Sequence, residues 1–445
     1  MMNFIKTLKD IWKIEELKNK ILLTIGLIAV YRFMAQIPLP GIDPTQLTAL
    51  KNSTDGGGLL ALLNVFTGGA FARASVMALG IMPYISASIV VQLMGIAVPY
   101  LQKLQKDGES GRKKITQITR WLTIAITLVQ GPTYIIAIQN SFGLPPEAFL
   151  VGGTTFTISS LIILTAGTIF AMWLGERITD KGVGNGISLL ITVGIIANFP
   201  AAFIQELVSK TTASGAGAGG IMTILIEIIV WFVIILLTVL LVTAVRKIAV
   251  QYARRTVAGN IQNVAGSRDY IPLKLNAAGV MPIIFAQAIM FLPLALAKRF
   301  PVLNDLQDIN GLSYNIVFAL LIIIFSFFYT AITIPTNKMA EDLKRSGGFI
   351  PGIRPGKDTA ERLDSVLSRI TFPGSLFLAA LSVLPAIVVQ FGVQQNWALF
   401  YGGTSLIIMV GVAIDTIQQV NSYLLNRHYD GLMKTGSNSN RKSSK

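Results

Sequence analysis

Residues 220–245 read GIMTILIEIIVWFVIILLTVLLVTAV and carry one charged side chain, Glu227. A helix needs about 20 consecutive apolar residues to cross a bilayer core that is about 30 Å thick, and this run exceeds that length. A helix that is hydrophobic on every side must be buried in a large core or surrounded by lipid. The stretch therefore predicts a transmembrane helix.

Nine further apolar runs of similar length lie along the chain, at 21–40, 74–98, 121–139, 155–175, 186–208, 277–297, 314–335, 371–391 and 398–424. The composition agrees with them, because 52% of the 445 residues are hydrophobic and 13% are charged. Soluble cores stop growing near about 250–300 residues, so this excess of apolar surface requires lipid. We expect an all-α polytopic membrane protein with ten transmembrane helices.

The basic residues predict the orientation of these spans. Of the 37 lysines and arginines, 31 lie in the two terminal segments and in alternate gaps between the runs. The remaining gaps hold Lys51, Lys210, Lys298 and Arg299, while Arg32 and Arg73 lie within or beside spans. Because short cytoplasmic loops carry an excess of basic residues, we expect both termini in the cytoplasm. The net charge of +15 then needs no nucleic-acid partner.

Two halves of five spans each would have opposite orientations, which permits an inverted repeat around a central pore. We expect four regions: an N-terminal cytoplasmic segment, 1–20; a first half, 21–208; a second half, 209–425; and a cytoplasmic tail, 426–445. The first of these has a helical hydrophobic period and basic residues elsewhere, which is typical of an amphipathic helix on the membrane face. A helix packed on the protein's own loops fits the same pattern.

The segment 59–72, LLALLNVFTGGAFA, is too short to span the membrane, because fourteen residues give about 21 Å of helix. Its length and its interruption by Gly68-Gly69 favour a short re-entrant element, which is tolerated only inside protein or beside a water-filled cavity. An outer loop that caps the bundle is the alternative.

Residues for common catalytic and metal sites are scarce. The chain has no cysteine and one histidine, which excludes disulfides and thiolate chemistry and leaves little for zinc or imidazole catalysis. The glycines of GVGNG (182–186) fail the dinucleotide-binding spacing and predict a tight turn, and Asp358 after Gly356-Lys357 breaks the phosphate-loop pattern. We expect no cofactor, no metal and no enzymatic activity.

Five stretches, in order along nearly the whole chain, resemble the SecY family, which forms the central subunit of the bacterial protein-translocation channel. They are SVMALGIMPYISASIVVQLM (75–94), KDGESGRKKI (106–115), WLGERITDKGVGNGISLLI (173–191), IPLKLNAAGVMPIIFA (271–286) and GGFIPGIRPGKDTA (347–360). The resemblance implies a channel in the bacterial plasma (inner) membrane that passes unfolded secretory chains and releases membrane helices sideways into lipid.

The resemblance also implies an hourglass pore narrowed by an aliphatic ring, which blocks ions and water by dewetting. At matching positions the ring consists of Ile81, Ile85, Ile187, Ile191, Ile284 and Ile408. The first four form two i,i+4 pairs, so each pair lies on one helix face. Ordinary core positions in an isoleucine-rich chain are the alternative.

Residues 59–72 match the family's plug, a short re-entrant helix that fills the outer funnel at rest. Its candidate residues are Leu60, Leu63, Asn64, Phe66, Gly68 and Gly69. The second, third, seventh and eighth spans match the lateral gate, whose candidate polar residues are Ser86, Gln92, Gln130 and Asn276. Interhelical hydrogen bonds among these could hold the gate shut, and bonds from each side chain to a nearby backbone group are the alternative.

The basic gaps 246–276 and 336–370 match the docking site of both the ribosome and the SecA motor ATPase. Arg254 and Arg255 fit contacts to ribosomal RNA phosphates, although TVAGNIQNV (256–264) lacks a second basic cluster that many relatives have. Arg354 matches the motor-coupling arginine, and Lys357 lies beside it. The other implied partners are SecE- and SecG-like small membrane subunits, signal peptides, nascent polypeptides and anionic membrane lipids.

A second hypothesis from the residues alone is an inverted-repeat secondary transporter for a small solute. It needs an acidic coupling group inside the membrane, and Glu227 and Asp415 are the only candidates. Neither has an evident cationic partner in the sequence, which argues against this hypothesis without excluding it.

Overall fold

The computed structural model describes residues 12, 14–47, 64–140, 148–150, 152–212, 220–252, 268–296, 306 and 308–442. Its helices are α1 (Glu15–Met34), α2 (Met82–Ala97), α3 (Pro99–Lys106), α4 (Gly108–Asn140), α5 (Gly153–Lys181), α6 (Gly186–Thr212), α7 (Gly220–Thr243), α8 (Met281–Leu296), α9 (Leu312–Thr333), α10 (Thr336–Arg345), α11 (Lys357–Gln390), α12 (Gln395–Ala398) and α13 (Gly403–Lys442). Three strands, β1 (Val245–Tyr252), β2 (Arg268–Lys274) and β3 (Gly348–Phe349), and a 3-10 helix, Pro44–Leu47, complete the described elements.

Each of the ten predicted spans contains a helix, namely α1, α2, α4 to α9, α11 and α13. Within the described residues, seven helices are individually long and apolar enough to cross a membrane, and a pair bent by 101°, Met82–Gly95 with Pro99–Gln105, could be an eighth. Helices α1 and α8 are not among the seven. The first six residues of α1 include four charged ones, which shorten its apolar run, and α8 has only 16 residues. The prediction of a polytopic helical membrane protein is confirmed.

The predicted bounds of the first two spans need correction. Helix α1 ends at Met34, six residues earlier than expected, and α2 begins at Met82 rather than at 74. The intervening chain pairs with itself instead of remaining helical, since Leu39 N donates to Ala74 O at 2.8 Å and Val76 N donates to Ile37 O at 2.9 Å. Residues 67–81 consequently form successive turns.

The chain divides into two compact units. The first comprises Met1–Gln205 and Val412–Lys445, and the second comprises Glu206–Gly411. The predicted boundary between the halves, at 208, lies three residues from the first of these divisions. Nothing in the hydropathy pattern indicated that the last 34 residues would group with the first unit.

The basic gaps 246–276 and 336–370 contain regular structure as well as loops. Strands β2, β1 and β3 form an antiparallel sheet in that order, with Ile248 opposite Ile271 and Gln251 opposite Phe349. Its apolar residues pack with those of α10 and α11: Ile248, Val250, Tyr252, Ile271, Met339, Leu343, Ile350, Ile353 and Leu363. We call this sheet with α10, residues 346–356 and the first two turns of α11 the basic lobe.

In the first unit, the turn between α5 and α6 depends on glycine. Gly184 has φ +86°, and its N–H donates to Oε1 of Gln419 at 2.8 Å. A Cβ at Gly186 would overlap the carbonyl oxygen of Gly175, so the two helices approach at van der Waals distance. The tight turn predicted at residues 182–186 is confirmed, with Gly186 as the first residue of α6.

Candidate functional site

The structure gathers three candidate ring residues of the first unit into one cluster. Ile81 is 4% exposed and lies immediately before α2; Ile85 and Ile187 pack in the same apolar cluster as Tyr31 and Leu174. Ile191, one turn beyond Ile187 in α6, is also buried. These contacts fit one continuous aliphatic surface and also fit ordinary core packing, so the ring stays a prediction.

In the second unit, Ile284 lies in α8 and Ile408 lies in α13. Ile408 is buried and Ile284 is half-buried. The chain just before α8 packs against α13, because a Cβ at Gly411 would lie 3.5 Å from Cγ2 of Val280. This packing brings α13 close to the start of α8, and the place of Ile284 and Ile408 in a ring stays a prediction.

Part of the candidate plug is described, and it is packed. Asn64 is in a helix that ends at Phe66, after which the chain continues in turns with Gly68 and Gly69 at φ +67° and +84°. Leu60 and Leu63 lie outside the described residues. The Oδ1 atom of Asn64 accepts a hydrogen bond from Ala72 N at 3.0 Å and closes the loop. The second half of the segment is thus a compact set of turns, not a helix.

The four candidate gate residues differ in environment. Nε2 of Gln92 donates to Oγ of Ser88, one turn earlier in α2, at 3.3 Å, and Gln130 is exposed. Ser86 is half-buried, whereas Asn276 is buried just before α8. The Gln92 bond joins two side chains of the same helix, which is neither an interhelical bond nor a bond to the backbone, so both interpretations of the gate residues stay predictions.

The candidate docking residue Arg354 is displayed on a fixed loop of the basic lobe. Its side chain is exposed, while its neighbour Ile353 packs in the lobe core. Oγ1 of Thr359 donates to the carbonyl oxygen of Arg354 at 2.8 Å, which ties the loop to α11. Lys357 is exposed and 3.9 Å from Glu361, and Arg254 and Arg255 lie outside the described residues.

A buried charge cluster in the second unit corrects the expectation that Glu227 has no evident cationic partner. Nζ of Lys210 lies 3.4 Å from Oε1 of Glu227 and 3.6 Å from Oε1 of Glu206, and it donates to Gly392 O at 2.8 Å. Asp415 is exposed on α13. Glu227 therefore has a cationic partner that the sequence did not reveal, and the lack of one no longer counts against the transporter hypothesis.

Comparison with known proteins identifies the family. The family model SecY matches residues 75–417. The chain is 40% identical over 442 residues to the protein translocase subunit SecY of Streptomyces scabiei, covering 95% of this chain and 98% of that protein. The chain belongs to the SecY family. It is accordingly a multi-pass membrane protein, and its relatives are translocase channel subunits.

Two solved structures share the fold of this SecY-family chain. One is described as showing that the plug domain of the SecY protein stabilises the closed translocation channel and maintains a membrane seal; it has a TM-score of 0.57 and 18% identity. The other is Sec61 in the canine ribosome-channel complex from the endoplasmic reticulum, with a TM-score of 0.55 and 17% identity. Each alignment covers 91% of this chain and 91% of the other.

Proposed function

We propose that this chain is the protein-conducting channel of a bacterial Sec translocase. The observation that carries the proposal is its 40% identity, over nearly the full length of both chains, to a named translocase subunit. In this proposal the channel passes unfolded secretory polypeptides across the plasma membrane and releases transmembrane segments laterally into it. Both termini lie in the cytoplasm, as the distribution of basic residues predicts.

The pore is proposed to close by two means. The candidate ring isoleucines form a constriction that excludes water when no polypeptide fills it, because a narrow apolar passage dewets. Residues 59–72 form the plug on the outer side. The tight packing of its described half in the first unit supports a resting seal, since every residue from Val65 to Ala72 is buried.

The basic lobe is proposed to bind the source of energy, either the SecA motor or a translating ribosome. Exposed cations on a fixed surface suit acidic protein surfaces and RNA phosphates. The ribosome-bound Sec61 structure supports this assignment only at the level of the shared fold. SecE- and SecG-like subunits, signal peptides and anionic lipids complete the proposed set of partners.

Reconstituted transport tests the proposal directly. Proteoliposomes that contain this chain with a SecE-like subunit should import a signal-bearing precursor when SecA and ATP are supplied. Protease protection of the precursor measures import, and liposomes without this chain are the matched control. Absence of import beside an active reference channel, with this chain correctly inserted, would contradict the proposal.

Deletion of residues 60–70 should raise the resting ion conductance while insertion into the membrane is preserved. The deletion removes Asn64, Phe66 and both plug glycines, and with them the backbone groups that close the outer side. Single-channel recording in a planar bilayer, without precursor, measures the effect. Conductance equal to that of the intact chain would count against both the plug and its role as a seal.

A further inference from the structure

Residues 64–69 are attached to two helices of the first unit by side chains from outside the segment. Nη1 of Arg32, in the last turn of α1, donates to the carbonyl oxygen of Gly68 at 3.0 Å. Nδ2 of Asn198, in α6, lies 3.4 Å from Asn64 O and 3.5 Å from Val65 O. The segment is thus held from two directions through its own backbone carbonyls.

The attachment leaves no room for a side chain at two glycines. A Cβ at Gly68 would overlap the guanidinium of Arg32, and a Cβ at Gly194 in α6 would lie 2.8 Å from Phe66 O. The segment therefore lies directly on the backbone of α6. Gly68 and Gly69 have positive φ angles, and only glycine adopts this left-handed backbone conformation at low cost.

The position of Arg32 near the end of α1 requires a physical explanation. It lies in the helix of the first predicted span, and an unpartnered cation inside a membrane is costly. A cation in the last turn also interacts favourably with the helix dipole, and this alone would explain an arginine without a side-chain partner. Arg32 instead contacts the plug carbonyl, and within the described residues no carboxylate pairs with it or with Arg73, the second cation beside the segment.

We propose that Arg32 is a positioning residue that latches the plug: its bond to Gly68, with the seat provided by Gly194 and Asn198, holds residues 64–69 against α1 and α6 until the channel opens. This inference rests on the proposed plug function and adds the residues that fix the plug at rest. Release of the plug then requires rupture of the Arg32–Gly68 hydrogen bond. The free guanidinium would face the space that the segment vacates.

The absence of cysteine in the chain permits a clean accessibility measurement. A single reporter, Val65→Cys, is buried at rest, and its labelling rate with a membrane-impermeant maleimide reports how often the segment leaves its seat. Arg32→Met, which keeps an unbranched chain and removes the donor, should raise that rate roughly tenfold, the size expected for loss of one buried hydrogen bond. Arg32→Lys should restore much of the protection. Arg177→Met, which removes an exposed cation from α5, is the matched control and should leave the rate unchanged.

A second variant acts from the other side of the contact. Gly194→Ala improves the helix propensity of α6 but places a methyl group against Phe66 O, so it should expose Val65→Cys without weakening the helix. If Arg32→Met fails to fold, Gly194→Ala decides the proposal by the same measurement. An unchanged labelling rate in Gly194→Ala and in every folded Arg32→Met sample would overturn the latch.

Resting conductance separates the latch from the plug function. A rise in both labelling and conductance supports the latch and the seal together. A rise in labelling with unchanged conductance supports the latch and shows that residues 64–69 do not seal the pore, which contradicts the proposed function of the segment instead.

Discussion

Arg354→Glu should abolish SecA-driven import of a precursor while the channel remains folded and inserted. The arginine is exposed, and the backbone contact that fixes its loop, from Oγ1 of Thr359 to Arg354 O, does not depend on the side chain. Reversing a charge in a complementary interface replaces attraction by repulsion, which costs several kcal/mol. We expect docking to weaken on the order of a hundredfold or more. ATP-dependent import into proteoliposomes and SecA binding to the same vesicles measure the two effects.

A matched charge reversal shows whether position or net charge is responsible. Arg362→Glu changes the same charge on an exposed residue of α11 in the same lobe, and it should retain most of the import. Lys357→Glu should have an intermediate effect, because Lys357 lies beside the loop and its exposed pair with Glu361 contributes little to stability. Equal loss in Arg354→Glu and Arg362→Glu would indicate a general electrostatic effect. Import by Arg354→Glu at the normal rate would remove this residue from the docking site.

The spans could be predicted from the sequence because the bilayer imposes a length that is readable without tertiary contacts. The run at 220–245 and helix α7, Gly220–Thr243, differ by two residues at one end. The bounds failed where the chain pairs with a distant segment. The bonds between residues 37–39 and 74–76 keep the start of the second run out of the helix, and hydropathy contains no information about such pairing.

In the basic lobe, the sequence contains a strand pattern that the many basic residues around it obscured. In VRKIAVQY the apolar residues Ile248, Val250 and Tyr252 alternate, which is the period of a strand with one buried face. The neighbouring lysines and arginines favoured a cytoplasmic loop instead; the structure shows a sheet there, and its side of the membrane stays a prediction. The alternation predicts the strand, while the charges predict the side of the membrane on which it lies.

The candidate site was predictable only in part. Family motifs predict ring, plug and docking positions, but they did not indicate that Arg32 contacts Gly68, because that bond joins residues 36 positions apart. The spacing of Glu206 and Lys210 does predict an i,i+4 pair. The third member, Glu227, lies in the next helix, α7, and the sequence does not indicate which residues of α6 and α7 lie close together.

Lys210→Met should be the most destabilising single substitution in the charge cluster of the second unit. Glu206 is 2% exposed and the Glu227 side chain 9%, so removal of the lysine leaves two carboxylates buried without a cation. Breaking a buried ion pair in this way costs about 3–5 kcal/mol. The Gly392 carbonyl also loses its donor. For a unit of this size we expect the apparent Tm in detergent to fall by roughly 10 °C.

Charge counting within the cluster gives the opposite expectation for Glu227→Gln. Two carboxylates share one ammonium, so neutralising Glu227 leaves a balanced pair of Glu206 and Lys210 and should change the apparent Tm by only a few degrees. Oε2 of Glu206 still accepts the N–H of Gln394 at 2.8 Å in this variant, and the chain that begins at Gly392 stays attached to α6. A small effect of Glu227→Gln beside a large effect of Lys210→Met would identify excess negative charge as the cause.

The double variant Lys210→Met with Glu227→Gln completes the cycle. It should be more stable than Lys210→Met alone, because one of the two uncompensated carboxylates is gone, and the difference measures the coupling between the residues. The backbone contacts nearby do not involve these side chains: Oη of Tyr401 donates to Glu227 O, and Nε1 of Trp231 donates to Phe400 O, each at 2.9 Å. Those bonds should keep α7 attached to the chain around α12 in every variant, so the cycle isolates the charges. Additive losses would mean that Glu227 and Lys210 do not interact across their 3.4 Å separation.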